Sequence, residues 1–95
     1  MPYIRISLMK PSPGKEAAVT DLNSQLVDLY REQDGCLFCY LVKAAGGSGE
    51  VGRVSMWESE AAADRAATAQ RSIYLRSRLH LQVRPGHQER SLLTE

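Results

Sequence analysis

The sequence predicts an α+β fold: a four-stranded antiparallel sheet with helices on one face, in the ferredoxin-like order βαββαβ. Three observations predict it. Segments whose apolar residues alternate every second position are interleaved with segments of helical period. Turn-forming stretches at 11–14, 34–35, 44–49 and 85–86 separate them. The 95 residues carry no internal repeat and no linker, so 1–95 reads as one domain, with a core over about 3–84 and a tail over 85–95.

Each element has its own justification. Residues 3–9 (YIRISLM) place Ile4, Ile6 and Leu8 on one face and Tyr3, Arg5, Ser7 and Met9 on the other, which is a strand with unlike faces. Ser12 is a suitable N-cap and Pro13 a suitable first helical residue, because the missing proline N–H would have no partner there. From there Ala18, Val19, Leu22, Leu26, Leu29 and Tyr30 recur at steps of three and four, and Asp34-Gly35 ends that helix. A second strand spans 36–43, Ala44 to Gly49 forms a hairpin loop, and a third strand spans 50–57. Ser59 caps the next helix, whose alanines at 61–69 suit close packing on the sheet, with a break or step near 70–72. The fourth strand is expected from about residue 80, with His80, Gln82 and Arg84 alternating against Leu81 and Val83, and the tail HQERSLLTE shows no clear period.

Helices cover one face only, and Ile4, Ile6, Leu8, Val54, Met56, Leu81 and Val83 are the natural set to meet them. The other face then holds Tyr3, Arg5, Ser7, Met9, Val51, Arg53, Ser55, Trp57, His80, Gln82 and Arg84, a mixed set. Strand two is apolar on both sides: Phe38, Tyr40 and Val42 oppose Leu37, Cys39 and Leu41. That argues for a covered second face, and a second copy of the chain is the simplest cover for so small a protein.

Composition removes several functions. Twelve basic against eleven acidic residues leave +1, so no strong field recruits nucleic acid or an anionic membrane. No apolar run approaches the ~20 residues of a spanning helix, nor does the N-terminus resemble a secretion signal, so the expected compartment is the cytoplasm. Cys36 and Cys39 form a C-x-x-C in a strand-like run, where they point to opposite faces and serve as small buried hydrophobes. His80 and His87 have no accompanying ligand cluster, so no metal site is expected.

With PxPG entering helix one, DGCLFCY following it and GRVSMWESEAAA leading into helix two, the chain resembles the antibiotic biosynthesis monooxygenase family over roughly residues 3–84. The resemblance implies a dimeric α+β barrel. Its cofactor-free branch oxidises polycyclic aromatic anthrones to quinones with dioxygen, so it implies no cofactor, a small aromatic, phenolic or quinol-type substrate, and dioxygen as co-substrate. That branch's strand-end tryptophan matches Trp57. Its asparagine four residues earlier falls on Arg53, its tyrosine six residues later falls on Ala63, and a later arginine falls near Ser77, between Arg76 and Arg78. The haem-degrading branch would place its residues near Ser7, Ala66 and Arg76, none of them an iron ligand.

The candidate catalytic residues are therefore Trp57, Arg53 and His80. Trp57 is an aromatic wall or a packing bolt, Arg53 a holder of a substrate anion, and His80 a neutral-pH base. The candidate substrate contacts are Trp57, Ser7, Tyr40, Tyr74 and Arg76. Arg65, Arg71, Arg76 and Arg78 read alternatively as a solvated helix face, and Arg5, Arg53 and Arg84 as interfacial ion pairs. Three functions remain: a cofactor-independent monooxygenase; a non-catalytic dimeric small-ligand-binding or stress-related barrel, favoured by the missing hydroxyl at Ala63 and the missing histidine in helix two; and, third, an isomerase or lyase using His80.

Overall fold

A computed structural model of the chain describes residues 1–95. The elements are β1 (Tyr3–Met9), α1 (Glu16–Arg31), β2 (Cys36–Lys43), β3 (Val51–Trp57), α2 (Glu60–Ala67), α3 (Gln70–His80) and β4 (Gln88–Leu93). The sheet is antiparallel in the order β2-β3-β1-β4. The ferredoxin-like α+β expectation holds, with the second helical segment divided at Thr68 and Ala69.

Helix α1 begins later than the sequence suggests. Gly14 has a φ of 80°, outside the helical range, so Ser12 and Pro13 stay in the preceding turn. The Ser12 backbone carbonyl instead accepts from Lys15 N at 2.9 Å, and its N–H donates to Gln82 O at 2.9 Å. Helix α1 then buries Val19, Leu22, Leu26, Val27 and Tyr30 along one stripe. Helix α2 behaves as expected: the Ser59 hydroxyl accepts from Ala62 N at 3.1 Å, and Ala62, Ala63 and Ala66 are buried. Small side chains let this helix lie close, so close that a Cβ on Gly35 would stand 2.6 Å from Ala62 Cβ. Gly35 also has a φ of 86°, which suits the turn that sends the chain from α1 into β2.

Strand four is the main topological correction. The stretch at 80–84 is not a strand. Leu75 and Leu79 anchor α3 in the core, and their helical spacing carries the helix on through His80. Leu81 is 80% exposed, and Val83 makes only an isolated bridge to Pro11. The tail supplies the strand instead: β4 pairs with β1 from Tyr3↔Leu93 to Leu8↔Gln88. Its residues are exposed, so it lacks the hydrophobic alternation that would have marked it.

The second correction concerns the faces of the sheet. Parity grouped the residues of β1 and β3 properly, though not His80, Gln82 and Arg84, which lie on no strand, and the helices cover the opposite group. Asn23 of α1 reaches Met9 and Arg53, Asp64 of α2 reaches Arg5, and Tyr30 of α1 packs edge-on against Trp57. The covered face therefore carries Tyr3, Arg5, Ser7, Met9, Arg53, Ser55 and Trp57. Ile4, Ile6, Val54 and Met56 lie on the other face, half-buried among themselves, with Phe38, Tyr40 and Leu92 opposite them in the ladders.

The cysteines also depart from expectation. A register shift between Cys36 and Phe38 sets Cys36 opposite Trp57 and Cys39 opposite Ser55, so the bulge turns both thiols toward the helices. Both are free. Burial pushes the Cys39 thiol up to about 11, with Cys36 adding to the shift, while nearby arginines oppose it. Burial raises Cys36 as well, against the pull of Arg31. These are packing residues, as the sequence suggested, although they share a face.

Candidate functional site

On β3, residues 53, 55 and 57 point to the helices because strand side chains alternate. Trp57 is 2% exposed. Its indole Nε1 donates to Ser55 Oγ at 2.9 Å, and its ring meets Tyr30 edge-to-face at a centroid distance of 5.8 Å. Tyr30 in turn shares a 2.6 Å hydrogen bond with Ser72 Oγ, tying α1 to α3. Trp57 thus bolts three elements together, and its remaining surface walls a cleft. Its packing role is seen directly in these contacts, and its place in the cleft wall is where a flat ligand would meet it.

That cleft has a volume of about 250 Å³ and lies between the helices and the strands. Trp57, Tyr30, Ala63 and Ala67 form its apolar side. Arg5, Ser7, Arg53, Ser55, Arg76 and Glu89 form its polar side. A second chamber of about 190 Å³ adjoins it, sharing Ser7, Arg53, Arg76 and Glu89 and adding His80 and His87. The mean composition of the cleft is polar because the covered face of the sheet holds its hydroxyls and guanidiniums inward.

Arg53 is only 7% exposed. It donates through NH1 to Asn23 Oδ1, and Asn23 itself is fully buried. The Asn23 amide nitrogen donates to Val19 O at 3.1 Å and to Met9 Sδ at 3.5 Å, which leaves the amide oxygen facing Arg53. Burial holds the Arg53 guanidinium below its ordinary pKa, with Glu89 opposing and Arg76 adding to the effect. Arg5 differs. Partial burial weakens its cation, but hydrogen bonds to Tyr3 Oη (2.8 Å) and Asp64 Oδ1 (3.1 Å) outweigh that and raise its pKa. Arg76, on α3, donates through NH2 to Ala67 O at 2.6 Å, while its Nε is buried with no partner.

The structure brings together Trp57, Arg53, Ser7 and Arg76 of the sequence candidates. His80 lies at the end of α3, not on a strand, and lines the second chamber, its ring 5.4 Å from that of His87. Tyr40 is excluded: it is 54% exposed on the open face of the sheet, stacked on Phe38. Tyr74 is excluded as well, being 50% exposed on the outer side of α3 beneath Arg71 and Arg78. Arg84 does not join Arg5 and Arg53; it sits in the loop before β4, where its N–H bonds Lys10 O at 2.8 Å. Arg76 is not part of the solvated helix face, because it turns inward at the α2–α3 step.

Sequence reasoning named Glu89 only as one of three carboxylates, with Glu50 and Glu58, that could partner the strand arginines, placed Tyr30 only in the helix-one stripe, and missed Asn23. Glu89 accepts from Ser7 Oγ at 3.4 Å and lies 3.9 Å from His87 Nε2. Assigning a strand to 88–93 would have placed it opposite Ser7. Asn23, a polar residue in the apolar stripe of α1 beside Leu22 and Leu26, was the visible signal for a buried polar contact. No group of three or more His, Cys, Asp or Glu side chains converges to hold a metal ion. No helix is long and apolar enough to cross a membrane.

Comparison with known proteins agrees with this architecture. Residues 2–71 match the family model described as antibiotic biosynthesis monooxygenase. The structure of Rv0793 from Mycobacterium tuberculosis superposes with a TM-score of 0.91 at 21% identity, covering 100% of this chain and 96% of that one. A conserved protein from Methanosarcina mazei superposes at 0.92 with 10% identity, covering 100% of this chain and 94% of that one. SnoaB, a cofactor-independent oxygenase from Streptomyces nogalater, superposes at 0.84 with 11% identity, covering 99% of this chain and 93% of that one. At these identities the likeness is one of fold. A search of curated proteins returns no significant sequence match.

Proposed function

Because the chain belongs to the antibiotic biosynthesis monooxygenase family, we propose that its cleft oxidises a small aromatic, phenolic or quinol-type substrate with dioxygen and without a cofactor. One observation carries the reading: a buried tryptophan walls a cleft whose inner end is a buried arginine. The aromatic wall holds a flat ring, and Arg53 stabilises the negative charge that the ring acquires on losing a proton. Glu89, the one carboxylate lining the cleft, accepts that proton, and Ser7 and His87 orient it. The substrate anion then gives an electron to dioxygen. The resulting radical pair combines to a peroxide anion, which takes back the proton held by Glu89 and loses water, leaving a carbonyl on the substrate. One oxygen atom ends in the product and the other in water.

The apolar face of the sheet supports a homodimer in this reading. Ile4, Ile6, Val54, Met56, Phe38 and Leu92 form a patch that no helix covers, and a second copy would bury it against its own like patch. This is the interface expected from sequence, on the face opposite to the one assigned there.

Ala63 supports a second reading. It is buried in the cleft wall at the position where the oxidising branch carries a tyrosine, and it has no hydroxyl to move a proton. The cleft would then bind a ligand without converting it. Incubation of the pure protein with dithranol under dioxygen decides between them by quinone absorbance. The oxygenase reading requires a rate above buffer that falls by about a hundredfold in Arg53→Met, the usual loss for one oxyanion donor. A rate equal to buffer, unchanged in that variant, leaves only binding.

A further inference from the structure

Arg53 and Arg76 stand side by side in the wall shared by the two chambers, and neither has an acidic partner. Asp64 pairs with Arg5 at 3.1 Å and Glu89 lies 3.9 Å from His87 Nε2, and neither carboxylate comes within ion-pair distance of Arg53 or Arg76. The only side chain hydrogen-bonded to Arg53 is the uncharged Asn23. Arg76 spends one nitrogen on the Ala67 carbonyl and leaves Nε buried and unmatched. A guanidinium cannot escape burial by losing its proton at ordinary pH, so the cost of an unpaired buried cation stays with the empty cleft. Two like charges in one wall add to it.

The balance of charge is informative. Three guanidiniums line the cleft, but Arg5 is paired with Asp64, so Arg53 and Arg76 are left with one carboxylate, Glu89, which accepts from Ser7. One more negative charge would neutralise the wall. A guanidinium fork matches a carboxylate best, through two parallel N–H···O bonds. The neighbouring chamber of about 250 Å³, walled by Trp57 and Tyr30, has room for a ring attached to that carboxylate.

We propose that the ligand of this cleft is an aromatic carboxylic acid, its carboxylate held between Arg53 and Arg76 and its ring against Trp57. This rests on the reading of the cleft as a substrate site and narrows its substrate class: the bound molecule carries a formal negative charge before any proton is removed. The ring hydroxyl or methylene that reacts sits beside the carboxylate, so Glu89 takes its proton while Arg53 spans the carboxylate and the charge left on the ring.

The test is calorimetric titration in chloride-free buffer at neutral pH, without turnover. The probes are 2-hydroxybenzoate and 1-hydroxy-2-naphthoate, each against its neutral carboxamide. The expected result is at least tenfold tighter binding of each acid than of its amide. Arg53→Met and Arg76→Met should each abolish that preference, while Arg65→Met, on the outer side of α2, should retain it; circular dichroism confirms that each variant is folded. The acid–amide comparison on the unaltered protein stands even if one variant fails to fold. Equal binding of acid and amide, or no binding of either, overturns the proposal. A clear acid preference without quinone formation from dithranol overturns only the oxygenase reading. Quinone formation without an acid preference overturns only the carboxylate assignment.

Discussion

The two faces of the sheet invert the usual distribution of polarity. The face covered by helices carries Arg5, Ser7, Arg53 and Ser55, and the face left open carries Ile4, Ile6, Val54 and Met56. In a monomer whose sheet serves only as a core wall, the apolar set would face the helices. Here the helices enclose a polar cleft, and hydroxyls and guanidiniums are tolerable there because each has a partner or a cavity beside it. The open face has no site to build and stays apolar, as a surface prepared for association does. A face can therefore be buried for function or exposed for assembly, and hydrophobicity alone does not say which.

The strongest way to break this contrast is at Trp57, where the covered face is most tightly packed. Trp57→Ala should cost about 3–5 kcal/mol of stability, since it empties a large buried volume and removes the hydrogen bond that Ser55 Oγ accepts. Urea unfolding followed by circular dichroism measures it; a loss under 1 kcal/mol would reduce the tryptophan to a mere pocket lining. The open face is challenged next. Val54→Lys puts a charge in the middle of the apolar patch, and the dimer should weaken by about a hundredfold, roughly 3 kcal/mol. Light scattering should show twice the 10.6 kDa chain mass for the unaltered protein and a single chain for the variant at micromolar concentration. A unaltered protein that stays monomeric at high concentration would leave the apolar face without its explanation.

A smaller effect comes from the covered thiol. The folded pKa of Cys39 is raised from 9.0 to about 11, so the fold favours the protonated thiol. That contribution is complete below about pH 9 and is lost as pH rises toward 11, up to about 2–3 kcal/mol. Stability curves against pH should thus fall more steeply between 9 and 11 for the native chain than for Cys39→Ala; parallel curves would show that the thiol is not held neutral. The smallest change lies at the junction between β3 and α2. Ser59→Ala removes the cap on Ala62 N and should cost about 1 kcal/mol, with cleft binding unchanged.

Several parts of the site were legible from local pattern. The alternation through 51–57 put Arg53 and Trp57 on one face, and the Ser59 cap fixed where the strand gives way to helix. Ser7 followed from the same parity on β1. Tyr40 and Tyr74 were misplaced because an aromatic side chain reads alike in a pocket, on an open sheet or on a helix exterior. Glu89 could not be singled out from Glu50 and Glu58 as a partner, because an exposed edge strand has no hydrophobic period and its place depends on pairing with a strand some eighty residues earlier.

By itself, the sequence determined the order of elements up to α3, the groups of residues that share a strand face, and the family to which the chain belongs, because these rest on short-range periodicity, capping and local motif. Tertiary structure alone decided which face the helices cover, that the tail completes the sheet, and that a bulge at Leu37 turns both cysteines inward. Those outcomes depend on contacts between distant segments, where volume, charge and hydrogen-bond partners are weighed together and no local pattern reports the result.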